Sequence, residues 1–236
     1  MLPLSKNIFK AYDIRGIVGK TLDAGIARLI GHAFGSAVRA KGEQTVVIGR
    51  DGRLSGPELA AALAAGLQAA GVDVIDLGVV ATPMVYFGTH VLEAQSGVMV
   101  TGSHNPPDYN GFKMVLGGEA IYGDAILALH QAIADENYVY GKGGYRTHDI
   151  GAAYLQRIVD DVKLARPIKI AIDCGNGVAG AFAGDLYRAM GCEVTAISTS
   201  PDKEAEALSF GAHRFIATRE PKALRAAAGT LDFVLS

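Results

Sequence analysis

A serine, a histidine and a lysine stand close together in MVTGSHNPPDYNGFKM, residues 99–114. Ser103 offers a nucleophilic hydroxyl, and His104 and Lys113 offer positive charge or proton transfer. Backbone amides near Gly102 can meet an oxyanion. Pro106 and Pro107 fix φ and remove donors, so the loop that carries the serine is stiff. A hydroxyl held among cations and free amides suits the carriage of phosphate. No G-x-S-x-G elbow is present, which sets aside the α/β-hydrolase reading. The same residues also suit a plain connecting loop with an incidental serine, and composition alone leaves both open.

The surrounding pattern places this loop at the end of a strand. Residues 22–41 carry apolar side chains at helical spacing and stop at Gly42. Residues 45–51 (TVVIGRD) read as a strand, and 55–71 as an Ala-rich helix opened by Ser55 and Pro57. Residues 72–78 read as a strand, 82–94 as a helix, and 96–102 (SGVMVTG) as the strand that delivers Ser103. GFKMVLGG (111–118) reads as a further short strand after an Asn-Gly turn. Strand–helix alternation predicts an α/β fold, a parallel sheet with helices on both faces. Ligands gather at the carboxyl ends of such strands, where Arg50, Asp51 and Arg53 also lie. The stretch NYVYGKGGYRTHD (137–149) is Gly-rich and poor in aliphatic residues. It marks a boundary between a first domain over 1–140 and a second α/β domain over 141–236.

Half of the 236 residues are hydrophobic, 30 are glycine and none is tryptophan. The net charge of −2 and pI near 6.3 give no basic face for nucleic acid or an anionic membrane. Cys174 and Cys192 lack metal-ligand spacing and read as buried, reduced thiols. No apolar run is long enough to span a membrane, and the N-terminus does not have the form of a signal peptide, so a cytoplasmic location is expected.

TGSHNPPDYNGFK resembles the active-site serine loop of the α-D-phosphohexomutases, the phosphomannomutase/phosphoglucomutase family. FKAYDIRG (9–16), VVIGRDGRLSG (46–56) and IDCGNGVAG (172–180) resemble the same family in the same order, over residues 1 to about 194. The resemblance implies a three-layer α/β domain and an isomerase acting on hexose phosphates. There the serine is phosphorylated, and its phosphate passes between O1 and O6 of the sugar through a bisphosphate. Carried over, Ser103 is the phosphoserine, Lys113 the general acid/base and His104 a stabiliser of phosphoryl charge. Arg15, with Tyr12 beside it, lines the cleft, and Arg50, Asp51, Arg53 and Ser55 form the loop that supports the serine. Mg²⁺ is expected, with an oxygen of the Ser103 phosphate as one ligand.

The family's other loops are missing from this sequence: the Asp-rich D-G-D-G-D-R metal loop, the G-E-x-S-G-H sugar loop and the R-x-S-G-T-E-P phosphate loop. The expectation is therefore a truncated protein without mutase turnover of its own. From about Val194 the tail resembles the cofactor-domain segment of zinc-type NADP-dependent alcohol dehydrogenases, which makes the chain read as a chimera. Gly175, Gly177 and Gly180 satisfy G-x-G-x-x-G between a strand and a helix. Ser198, Thr199 and Lys203 lie where an NADP 2′-phosphate would sit. An NADP-binding module is the alternative, set against a glycine turn that belongs to the mutase fold and binds nothing.

Overall fold

In the computed structural model, which describes residues 2–235, the apolar spacing of 22–41 becomes a helix that Asp23 starts by accepting from the Ile26 amide at 2.8 Å. The chain forms two compact units, Met1–Ile150 and Gly151–Ser236. The first contains β1 (Ile14–Ile17), α1 (Ala24–Ala40), β2 (Thr45–Arg50), α2 (Gly56–Ala69), β3 (Asp73–Val79), α3 (Thr82–Val91) and β4 (Ser96–Val100). It continues with β5 (Tyr109–Leu116), β6 (Glu119–Ala120), α4 (Asp124–Ala134) and β7 (Tyr145–Thr147).

The strands form one sheet in the order β1-β5-β4-β2-β3-β7, with β6 added to β5. Strands β4, β2, β3 and β7 are mutually parallel, whereas β5 is antiparallel to both β4 and β1. The sheet is therefore mixed rather than wholly parallel. The reason is the connection: only residues 101–108 join β4 to β5, too few for a parallel crossover. The serine loop is thus the tip of a hairpin.

The sheet is the middle of three layers. Val46, Ile48, Val98 and Phe112 pack with Ile30 and Phe34 of α1, Leu63 and Leu67 of α2 and Ile126 of α4. On the other face α3 lies close, because Gly97 leaves room for Thr89 and Val85, and Gly88 for Val47. Helices α1 and α2 cross almost backbone to backbone. A Cβ on Gly31 would fall 2.2 Å from the Leu63 carbonyl oxygen, and one on Gly66 2.1 Å from that of Arg28. The first unit extends ten residues beyond the 140/141 boundary expected from sequence. β7 adds to the edge of β3, with Val74 opposite Tyr145, and holds 141–150 to the first sheet.

The second unit runs α5 (Gly151–Asp161), β8 (Lys169–Ile172), α6 (Gly180–Ala189), β9 (Glu193–Ser198), α7 (Glu204–Ser209), β10 (Arg214–Ala217), α8 (Pro221–Ala227) and β11 (Phe233–Leu235). Its sheet is all parallel, in the order β10-β9-β8-β11. The tail therefore continues the strand–helix alternation that begins at β8. Its core is small, with Ile170, Ile172, Cys192 and Val194 at the centre, and α6, α7 and α8 bury no residue fully. Both cysteines are free, and burial pushes both thiols up. Among the described residues no helix is long and apolar enough to cross a membrane.

Candidate functional site

Ser103 sits in the left-handed region, with φ 51°, a conformation that a serine adopts only when its surroundings impose it. The surroundings are a network centred on Asp51 and Arg53, just past the end of β2. Asp51 Oδ2 accepts from the Thr101 hydroxyl at 2.8 Å and from the Gly102 amide at 3.1 Å. The Thr101 Oγ1 in turn accepts from the Ser103 amide at 2.9 Å. Asp51 Oδ1 takes the Arg53 amide at 3.0 Å, and the Arg53 guanidinium lies 3.5 Å from Asp51 Oδ2.

The same guanidinium gathers the loop. Arg53 Nη1 donates to the carbonyls of Pro106 at 2.6 Å and Tyr109 at 2.9 Å, and Nη2 to those of Ser103 at 3.0 Å and Asn105 at 2.7 Å. Carbonyls on two prolines' worth of turn have few local partners, because proline supplies no amide to answer them. Arg53 and Asp51 are each only 16% exposed in their side chains, so solvent does not compete freely for these contacts. Asn105 Nδ2 closes the turn onto the Gly102 carbonyl at 2.8 Å. The buried Asn110 donates to Ser55 Oγ at 2.9 Å, tying the start of α2 to β5.

Arg15 reaches the loop from β1. Its Nη1 donates to Asn105 Oδ1 at 3.3 Å, and its Nη2 pairs with Asp13. The register sets Arg15 opposite Gly111, and Lys113 opposite Met99. Since Phe112 belongs to the core with α1, α2 and α4, alternation sends Arg15 and Lys113 off the other face. Gly111 is required at that crossing, where a Cβ would fall 2.1 Å from the Ile14 carbonyl oxygen. His104 is exposed on the loop, and Tyr12 is 79% exposed. Neither His104 nor Lys113 has a side-chain hydrogen-bond partner among the described residues, which leaves both side chains available to a ligand.

Two expectations are narrowed here. The amide of Gly102 donates to Asp51, that of Ser103 to Thr101 and that of Asn105 to the Gly102 carbonyl, so these three are not free oxyanion donors. Arg50 does not join the serine loop. Its stem packs beneath Gly56, its Nη1 is buried without a partner, and it lies near Tyr145 on the far side of β3. Burial, then a 2.6 Å hydrogen bond to Asp76, pushes the Tyr145 hydroxyl up to about 12, while Arg50 acts the other way. Thr101, Asn105 and Asn110 carry much of the network although their sequence signal is only that of a strand end and a turn.

The residues around Ser103 do not fit a Mg²⁺ site by themselves. Mg²⁺ requires near-octahedral oxygen ligation, and both oxygens of Asp51 are already committed to Thr101, Gly102 and Arg53. Among the described residues no cluster of three or more His, Cys, Asp or Glu side chains could hold a metal.

In the second unit, Gly175, Gly177, Gly180, Ser198 and Lys203 do border one hollow of about 360 Å³, floored by Ile172 and Phe210, while Thr199 lies outside its lining. The glycine turn is nevertheless closed on itself. Gly175 N donates to Asp173 Oδ1 at 2.9 Å, Gly177 N to the Cys174 carbonyl at 2.9 Å and Gly180 N to the Gly177 carbonyl at 3.1 Å. A pyrophosphate would find none of these three amides free.

The domain is thus a mixed sheet between two helical layers, with Ser103 on a stiff hairpin tip and Arg15 tied to that tip through Asn105. The family model for phosphoglucomutase/phosphomannomutase, alpha/beta/alpha domain I, matches residues 6–139, and the chain belongs to that family. It is 51% identical over 191 residues to the phosphomannomutase/phosphoglucomutase of Pseudomonas aeruginosa strain PAO1, covering 81% of this chain and 41% of that protein. The phosphoglucomutase of Neisseria gonorrhoeae is 50% identical over 204 residues, 86% of this chain and 44% of its own length. The crystal structure of a phosphoglucomutase/phosphomannomutase family protein from Burkholderia thailandensis superposes with a TM-score of 0.78 at 56% identity, over 82% of this chain and 44% of that one. The chain thus spans less than half the length of these relatives. The gonococcal match covers more residues than precede position 194, so mutase similarity continues into the tail. The dehydrogenase resemblance of that tail, and NADP with it, has no support from these comparisons.

Proposed function

We propose that Ser103 is the phosphoryl carrier of a hexose-phosphate mutase and that this chain supplies the phosphoserine part of its active site. The observation that carries the reading is the loop itself: a serine in a left-handed backbone, fixed by four carbonyl contacts to one guanidinium, with Arg15 and Lys113 on the adjoining sheet face. Such rigidity suits phosphoryl transfer, in which positioning and charge neutralisation supply most of the rate. Ser103 Oγ attacks a phosphorus of a hexose bisphosphate, the bond from phosphorus to the sugar oxygen breaks, and the serine's proton passes through a base to that oxygen. Lys113 is the residue proposed for the proton, with His104 and Arg15 meeting the charge on the phosphoryl oxygens. The reverse step phosphorylates the other end of the sugar. Mg²⁺, the family's expected cofactor, would neutralise the transferring group when bound, using ligands beyond those that Asp51 can offer.

By itself the chain is proposed to accept a phosphoryl group without turning over. Intact mass after incubation with glucose 1,6-bisphosphate tests the carrier role. One phosphoryl group is expected on the wild-type chain and none on Ser103→Ala. No transfer to the wild type, or equal transfer to Ser103→Ala, would remove the reading. Steady turnover in a coupled mutase assay would overturn the claim that the chain alone does not cycle.

A further inference from the structure

The relay from Asp51 through Thr101 to the Ser103 amide has a fixed polarity. An ionised carboxylate only accepts hydrogen bonds, and Asp51 is held beside the Arg53 guanidinium at 3.5 Å. The Thr101 hydroxyl must therefore donate its proton to Asp51 Oδ2, at 2.8 Å, and turn a lone pair toward the Ser103 N–H, at 2.9 Å. Thr101 is itself anchored. It is 8% exposed, and its own amide donates to the Gly111 carbonyl of β5 at 3.0 Å. The hydroxyl is thus a fixed post between the sheet and the serine.

From this geometry we infer that Thr101 is a positioning residue that holds Ser103 in its left-handed conformation and so aims its hydroxyl. The inference rests on the proposed carrier role of Ser103 only for its effect on transfer; the relay itself is independent of it. Serine has no intrinsic preference for φ near 51°. Arg53 grips the carbonyl side of the loop from Ser103 onward, but the nitrogen side of Ser103 has Thr101 as its one recorded partner. Without that contact the peptide between Gly102 and Ser103 is held only at its carbonyl, which accepts from the Asn105 amide at 3.1 Å and Asn105 Nδ2 at 2.8 Å, so its nitrogen end, and Oγ with it, gains freedom about that anchor. A threonine hydroxyl serves here and a valine methyl does not, since the shapes match but the donor and acceptor are lost.

The test compares Thr101→Val with Thr101→Ser, which keeps the hydroxyl, on the full chain. Hydrogen exchange of the Ser103 amide, read by two-dimensional NMR on the unphosphorylated protein, is expected to accelerate about tenfold or more in Thr101→Val and to stay near wild type in Thr101→Ser. The rate of phosphorylation by glucose 1,6-bisphosphate is expected to fall about a hundredfold in Thr101→Val, the scale of a 1 Å misplacement, and to recover in Thr101→Ser. Should Thr101→Val fail to fold, Thr101→Ala removes the same hydroxyl with a smaller side chain and no new polar group. An unchanged Ser103 amide in Thr101→Val, or in Thr101→Ala if that variant is used, overturns the relay. An exposed amide with an unchanged transfer rate overturns the positioning role. If the wild type takes no phosphoryl group at all, the carrier reading fails, and the amide exchange still decides the relay.

Discussion

Gly102→Ala should disarm the serine loop without touching any residue that reacts. A Cβ at Gly102 would lie 2.2 Å from Arg53 Cζ, 2.2 Å from Nε and 2.6 Å from Nη1. Relief to ordinary van der Waals separation moves the guanidinium by more than about 1 Å. The four loop contacts now measure 2.6 to 3.0 Å, so that retreat stretches most of them beyond hydrogen-bonding range. Each is a charge-assisted bond worth roughly 1 kcal/mol or more net, and the exposed carbonyls recover part of that from water. The loss is about 2–4 kcal/mol, or about 30- to several-hundred-fold in the population of the aimed loop. Phosphorylation of Ser103 by a hexose bisphosphate, followed by intact mass against time, reads it directly. Proteolysis of 103–109 reads it independently of the chemistry. The decisive comparison is a cycle with Arg53→Ala. If Gly102→Ala acts through Arg53, adding it to Arg53→Ala changes little further. Strictly additive losses, or a Gly102→Ala chain as fast and as protected as wild type, would refute the reasoning.

Two further outcomes follow from other parts of the molecule. Gly66→Ala and Gly31→Ala should each destabilise the first unit by about 1–3 kcal/mol or more through overpacking of the α1–α2 crossing, seen as a lower urea midpoint at unchanged slope; the displaced atoms are backbone, which cannot swing aside. In the second unit, hydrogen bonds from Arg166 and the Lys169 amide hold the Asp232 carboxyl down to about 2, below its ordinary 3.8. A depressed folded-state value contributes stability above the unfolded value that is lost as pH falls through the folded one. The second unit should therefore loosen between about pH 4 and pH 2, and Asp232→Asn should flatten that part of an acid titration followed by hydrogen exchange.

Local pattern determined a good deal of this protein. Helical spacing placed α1 within a residue or two of its observed ends, because an amphipathic stripe declares itself over several turns. The apolar runs at 45–51 and 96–102 became β2 and β4, while residues 99–114 by composition alone fitted both a reactive loop and a plain connection. Arg15 and Lys113, named through the family resemblance, do share one face of the sheet. Strand direction was legible only in part: a reversal before 111–118 was expected at Asn110-Gly111, but those residues lie inside β5 and the loop 101–108 makes the reversal. Whether β5 runs parallel to β4 or against it depends on the length of the link, and β1 and β7 are too short to show a period of their own. Nor could adjacency in sequence separate Arg50 from Asp51 and Arg53. Alternation and the bend after β2 send Arg50 beneath Gly56 and toward Tyr145, while Arg53 folds back across a loop fifty residues away. Thr101 illustrates the limit most clearly. In the chain it is a polar residue ending a strand, and only the approach of Asp51 in the fold gives its hydroxyl a direction. The glycine turn at 175–180 shows the converse: the spacing of a dinucleotide loop is present, but its amides close on Asp173, Cys174 and Gly177, and which partner an amide finds is settled by backbone conformation rather than by residue type.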